Sequence, residues 1–385
     1  FGDIPYTTKV LSIKESMSIA RTAKATVIAN VLADLDEVIN GNYLPTSYDA
    51  DNKGRITRWA AMAIKAKIYL FEGNWTQVKN ITSTIMTEGG FKLFGSYAGL
   101  FEIANEYNSE VILDAQYRPT SREHQMMYVF LPPTLGGYSQ LSPLQELVDS
   151  YIMLDGKTIK ETGTSFDESH PYANRDPRLK ATVMYTGNSY TLADGTEVVI
   201  NCEKGEGKDG YGVGSDCSAT GYYIKKYWDN TYRATLYSGL NPILIRYADI
   251  LLMNAEALAE LGELDKTAWD ATIKPIRDRA GFTLASALEF PEGASKDKLI
   301  EIVRNERRSE LALEGHRHKD IIRWRIADNV LNGWCHGLKT NDVVGTDDGY
   351  VRVENRTFNA NKHYLWPIPQ AERDLNGNLE QNPNW

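Results

Sequence analysis

The densest chemistry in the chain lies in one stretch, "RNERRSELALEGHRHKDIIRW", from Arg304 to Trp324. Guanidinium groups at this density make either a face that grips anions or a buried set of ion pairs. Glu306, Glu310 and Glu314 recur every fourth residue, while Arg304 and Arg308 share another face. Arg307 lies three before Glu310 and Glu314 three before Arg317, so opposite charges interleave. An anion site would show the arginines without the glutamates, and the spacing predicts a structural ion-pair network on one continuous helix. Leu299, Ile302, Val303, Leu311 and Leu313 would face the core from Lys296 onward.

Other reactive groups do not assemble into a catalytic signature. None of the HExxH, GxSxG or Walker A patterns occurs, nor a GxGxxG in a strand–helix setting. His316 and His318 fall in the charged stretch, where they are expected to line a packing surface. Asp49–Gly54 imitates a calcium loop, but Lys53 stands where a ligand should be and Ala60 at position twelve, so a plain turn is expected. Cys202 and Cys217 bracket a glycine-rich loop that a disulfide could close, stabilising by roughly 3 kcal/mol in the chain-entropy model. That pairing stays open; zinc has no supporting Cys/His spacing. No carboxylate pair stands out for glycoside hydrolysis, which depends on separation in space. No catalytic residue, metal or cofactor is expected.

The elements that must position these groups are mostly helical. The 385 residues can bury a sizeable core, and the formal charge of −9 argues against a non-specific hold on nucleic acid or anionic lipid. A neutral or cationic ligand fits better. No run of about 18 apolar residues is present. The opening "FGDIPYTTKVLSIKES" has no Met, basic n-region or apolar h-region and reads like the middle of something. Periodicity predicts a helix over Ser16–Ile39, a helical hairpin of Arg58–Glu72 and Trp75–Glu88, and a second hairpin of Arg246–Leu261 and Asp265–Ala280. Setting Gly73 on Gly262 places Ala66 on Ala255, where helices approach closely, and units of about 34 residues suit a tetratricopeptide-like array. Between the hairpins, 91–242 is rich in Tyr, Gly, Pro, Ser and Asn, with short strands predicted in "EVILDAQY" and "EVVIN". In the tail, 362–385, Pro367 and Pro369 forbid a single helix, and Trp366, Ile368 and Trp385 are expected to pin an extended segment.

These motifs together resemble the SusD/RagB family. The charged stretch is similar to the family's hallmark helix, and it is joined by "VDSYIMLDGKTI", "DPRL" at Asp176–Leu179, "ILIRYADILLMNAEALAELG" with "IRDRAGF", and "LWPIPQAERDLNGNLEQNPNW". "FGDIPY" resembles the family's FGD-x-P turn. Asn376-Gly377 stands for the usual Asn-Pro and Trp385 for the usual Tyr. Members typically carry a lipoprotein signal and further N-terminal helices before the FGD-x-P turn, and without them part of the usual ligand pocket is expected to be missing here.

The resemblance implies a mainly α fold, a tetratricopeptide-like helical-hairpin scaffold with long irregular loops and a few short β-strands. It implies a single SusD-like domain over 1–385, with scaffold at about 16–90 and 243–330 and a loop-rich ligand-binding excursion at about 91–242. The implied activity is capture of oligosaccharides at the outer-membrane surface and delivery to a SusC-like TonB-dependent β-barrel transporter, without enzymatic chemistry. The membrane would be reached only through a lipid anchor absent from this chain. Sugars need aromatic faces ringed by polar groups. The residues expected to supply them are Tyr138, Tyr190, Tyr211, Trp228, Asn230 and Tyr232, with Trp334 a weaker choice because Cys335 beside it suggests burial. The alternatives are peptide capture on the same fold and a helical-repeat scaffold for a protein partner.

Overall fold

The computed structural model of the protein describes residues 1–231 and 236–385. In chain order its main elements are α1 (Lys24–Asn40), α2 (Arg58–Phe71), α3 (Trp75–Glu88), β1 (Val111–Asp114), α4 (Gln145–Ser150), α5 (Pro177–Thr182), β2 (Ser189–Thr191) and β3 (Glu197–Val199). There follow β4 (Ile243–Arg246), α6 (Tyr247–Leu261), α7 (Lys266–Ala280), α8 (Lys296–Glu310), α9 (Arg317–Arg323), β5 (Gly333–Lys339), β6 (Thr346–Asp347), β7 (Tyr350–Arg356) and α10 (Gln370–Leu375). The chain is mainly helical with a few short strands, as the sequence implied. It divides into two compact units, one of Thr46–Arg317 and Trp334–Asn355, the other of Phe1–Pro45, His318–Gly333 and Arg356–Trp385.

In the larger unit the predicted hairpins form where local chemistry starts and stops them. Thr57, Asn74, Asp265 and Ser295 each accept a backbone N–H at the start of α2, α3, α7 and α8. Gly262 ends α6 and Gly281 ends α7 in the left-handed region, at φ 74° and 102°. α6 runs between α3, α7 and α8 and is buried along most of its length. Ala66 and Ala255, paired by the repeat, are both fully buried, and Asn254 donates to Thr82 Oγ1 and Ser83 Oγ across the α3–α6 contact. Leu251, Leu252, Trp269, Ile273, Leu299 and Val303 fill the helical core.

The excursion at 91–242 has a core of its own. Tyr97, Phe101, Met127, Tyr151, Tyr190, Tyr223 and Tyr227 are buried there. Both predicted strands form: β1 pairs antiparallel with β4, and β3 pairs with β2 around the Asp194-Gly195 turn. β5, β7 and β6 form a three-stranded sheet in that order.

The smaller unit corrects two expectations. α1 starts at Lys24 and not Ser16, because Asp3 of the "FGD" turn accepts the Lys24 N–H at 2.8 Å, while Ile4 and Thr22 exchange backbone hydrogen bonds that hold the preceding segment extended. Of the three tail anchors only Ile368 is buried; Trp366 is 60 % exposed and Trp385 also faces solvent. Polar contacts hold the tail: Arg21 donates to Glu380 O and Asn382 Oδ1, and Asn382 donates to Phe1 O and Trp366 O.

The charged stretch is two helices, not one. α8 ends at Glu310, Leu313 takes φ 63° and Gly315 φ 78°, and α9 begins at Arg317. Leu313, expected in the core, is 37 % exposed. The break turns Glu314 inward, and the charges of α8 are compensated from outside the helix. Arg178 of "DPRL" reaches Asp176 (2.7 Å), Glu306 (2.6 Å) and Glu310 (2.9 Å). Arg246 of "ILIR" reaches Glu110 (2.7 Å), Glu310 (2.6 Å) and Glu314 (2.7 Å). Arg277 pairs with Glu306 at 2.7 Å, Arg279 with Glu110 and Glu310, and Lys226 with Glu314 at 2.6 Å. Arg307 meets Asp249, which also holds Lys67.

Burial would raise Glu310 and Glu314, but the guanidinium groups around them outweigh it: Glu310 lies well below the usual carboxylate range, and Arg246 and Lys226 bring Glu314 down to about 2. Burial lowers Lys226 to about 8 despite Glu314. Removing one partner strands a buried charge. Arg246→Ala should cost about 3–5 kcal/mol of unfolding free energy in urea titrations, whereas Arg352→Ala, at an exposed pair with Asp347, should barely move the midpoint. Because the Glu310 and Glu314 pKa values are depressed, their stabilisation is complete above the ordinary carboxylate range and is lost as pH falls. The thermal midpoint should hold from pH 7 to about 5 and drop steeply towards pH 2.

Candidate carbohydrate-binding cleft

A cleft of about 900 Å³ opens in the larger unit, among the loops at 168–173, 185–187, 202–206 and 338–342. Tyrosines dominate its aromatic lining. Tyr172 and Tyr185 stack with centroids 4.0 Å apart and planes at 17°. The Tyr172 hydroxyl lies 3.2 Å from that of Tyr222, which donates to Gln145 Oε1 at 2.6 Å, and Gln145 Nε2 donates to Asp149 Oδ1. This chain fixes the rings before any ligand arrives. Tyr350 closes another wall, with the Lys339 ammonium 5.4 Å from its centroid.

The loop that carries Tyr172 is tied down by Arg175, a buried guanidinium that donates to Val148 O (2.6 Å), Tyr151 O (2.7 Å) and Pro171 O (2.8 Å). Tyr185 follows Val183–Met184, which pairs antiparallel with Tyr223–Ile224. Burial raises all four phenols, Tyr172 to about 12, so at neutral pH the lining offers neutral hydroxyls that donate and accept. Rim charges are paired across loops: Lys204 with Asp342, and Lys339 with Glu168 at 2.9 Å.

His336 fixes β5, whose end lines the cleft. Its ring reaches Glu146 Oε1 at 2.8 Å and Asp347 Oδ2 at 3.0 Å, and the His336 backbone N–H donates to the Glu146 carboxylate. Burial lowers its pKa, but the hydrogen bonds to Asp347 and Glu146 prevail and raise it above the ordinary value. A raised folded-state pKa means that the stabilisation is complete below about 6.5 and fades as pH climbs through the folded value. The gap in thermal midpoint between the native protein and His336→Ala should therefore shrink from pH 6 to pH 9; a constant gap would show that the ring acts through packing alone.

Among the described residues, none of those expected from the sequence lines this cleft. Tyr138 is 39 % exposed and stacks on Tyr128 at 4.2 Å. Tyr190 is fully buried and donates to Ile224 O at 2.7 Å, so it presents no face to solvent. Trp228 packs 4.9 Å from Tyr190, and its indole N–H donates to Thr191 O. Tyr211 is half-buried against the excursion core and Asn230 is half-buried nearby in sequence. Tyr232 lies outside the described residues. The structure thus brings Tyr190 and Trp228 together as packing and leaves Tyr138 apart. Trp334 is 43 % exposed although Cys335 is buried, because neighbours on β5 face opposite sides; the Arg352 guanidinium lies 5.7 Å from its ring. Cys202 and Cys217 are free thiols: Cys202 is buried and Cys217 Sγ donates to Lys208 O. A signal for the cleft did exist in the sequence, since Tyr172, inside the turn-rich "HPYANRD", and Tyr185 flank "DPRL".

The profile of the SusD family matches residues 100–385, well over half of the chain, and the protein belongs to that family. SusD-like protein P25 of Formosa agariphila is 28% identical over 355 residues, covering 86% of this chain and 61% of that protein. A SusD-like protein of Bacteroides ovatus is 24% identical over 326 residues, 78% of this chain and 53% of its own length. The chain thus spans between half and two thirds of these relatives. Among solved structures, a SusD-like carbohydrate-binding protein from Bacteroides fragilis superposes with a TM-score of 0.87 at 29% identity, covering 99% of this chain and 76% of that one.

Proposed function

We propose that the protein captures an oligosaccharide in the Tyr172–Tyr185–Tyr350 cleft, without covalent chemistry. The observation that carries this reading is a preorganised tyrosine lining of neutral hydroxyls in a cleft large enough for several sugar rings. Such rings stack on sugar C–H faces while hydroxyls and paired charges meet the sugar's own hydroxyls. Membership of the SusD family and 29% identity to a solved SusD-like carbohydrate-binding protein support it. The family resemblance carries the reading further, to display at the outer-membrane surface through a lipid anchor and delivery of the glycan to a SusC-like TonB-dependent β-barrel.

Titration calorimetry against a panel of neutral and acidic glycans and mixed peptides tests the reading. Tyr185→Ala and Tyr350→Ala should each weaken the glycan that binds by roughly 2- to 13-fold, the worth of one aromatic platform. Loss in Tyr138→Ala with the cleft variants unaffected would move the site to the Tyr128–Tyr138 pair. Heat on peptides and none on glycans would favour peptide capture.

A further inference from the structure

The charges of the cleft go beyond the presence of a glycan to its class. Four carboxylates line it, Glu168, Glu203, Glu206 and Asp342, against two ammonium groups, Lys204 and Lys339. Two minus four leaves −2. Both lysines are already engaged, Lys204 by Asp342 and Lys339 by Glu168 and the face of Tyr350. His170, also in the lining, is held by Asp167 at 2.8 Å. Glu203 and Glu206 are exposed, and among the described residues neither meets a cation. No arginine lines the cleft, so the forked donor that proteins use for carboxylate and sulfate is missing from the described lining.

We infer that this cleft selects uncharged glycans and rejects uronate and sulfated ones, with Glu203 and Glu206 as the discriminating residues. The inference rests on the glycan-binding reading above. A ligand carboxylate gains no free cation here and meets two uncompensated carboxylates. Taken at about 7 Å with a dielectric near that of water, those two together weaken binding roughly sevenfold per ligand carboxylate before screening. Neutral hydroxyls suffer no such repulsion and find the tyrosine hydroxyls instead. Breaking the Lys204–Asp342 or Lys339–Glu168 pair to free a cation would expose its carboxylate in turn, so rearrangement of the rim does not reverse the sign.

The test uses matched ligands. Whichever neutral glycan binds in the panel is oxidised at C6 to its uronate form, which keeps linkage and length, and both are titrated by calorimetry at 20 mM and 500 mM NaCl. The expected result is binding of the oxidised form about four- to sevenfold weaker per uronate in low salt, with the gap narrowing in high salt and in the Glu203→Gln/Glu206→Gln double variant. An oxidised glycan that binds as tightly as its parent overturns the inference while leaving the binding site intact. A gap that survives both salt and the double variant also overturns it, because the discrimination is then one of shape. If no glycan binds the native protein, or if Tyr185→Ala does not weaken the one that does, the glycan reading of this cleft fails and the charge rule fails with it.

Discussion

Five carboxylates and five cations buried together set the terms for the larger unit. Glu110, Asp176, Glu306, Glu310 and Glu314 balance Arg178, Lys226, Arg246, Arg277 and Arg279, so the cluster is neutral although every member is taken from water. Such a cluster is weak evidence for net stability, since desolvation offsets much of the attraction. Its consequence is specificity. The arginines come from three separate elements, Arg178 from α5, Arg246 from β4 and Arg277 with Arg279 from α7, and none can move without stranding a partner, so the second helical hairpin, the "DPRL" turn and the inner edge of the excursion are locked in one arrangement.

The cleft depends on that arrangement. Arg178 of "DPRL" is held in the cluster, and three residues earlier Arg175 gathers carbonyls from Val148, Tyr151 and Pro171 to fix the loop of Tyr172. Thus one short segment faces the ion-pair cluster with one guanidinium and shapes the tyrosine cleft with the next. Rigid tyrosines lose little conformational entropy on binding, which suits the proposed capture of flexible, hydrated chains.

Much of the helical scaffold was legible because its signals are local. Apolar periodicity, cap residues and the glycines at 262 and 281 set α2, α3, α6 and α7 to within a residue or so. The failures share a cause in distant partners. Asp3 caps α1 from over twenty residues away, and Lys226 and Arg246 draw Glu314 out of the helix that spacing predicts. The site was the least legible part. Loop tyrosines look alike in sequence, and whether a ring is core, like Tyr190, or cleft, like Tyr185, depends on which segments converge on it. The excursion needs its own core, and tyrosines supply it, with the hydroxyls of Tyr97, Tyr190 and Tyr223 bonded to the carbonyls of Glu310, Ile224 and Asp209. Trp334 was discounted by its neighbour although strand alternation separates the two.

The most direct test of the account is hydrogen–deuterium exchange of the native protein with and without its bound glycan. The account predicts slow exchange over 299–310 in both states, and ligand-induced protection confined to 168–187, 202–206 and 338–350. Protection appearing instead around 126–141, or a ligand response in 299–310, would contradict the division between an ion-pair scaffold and a tyrosine cleft that binds.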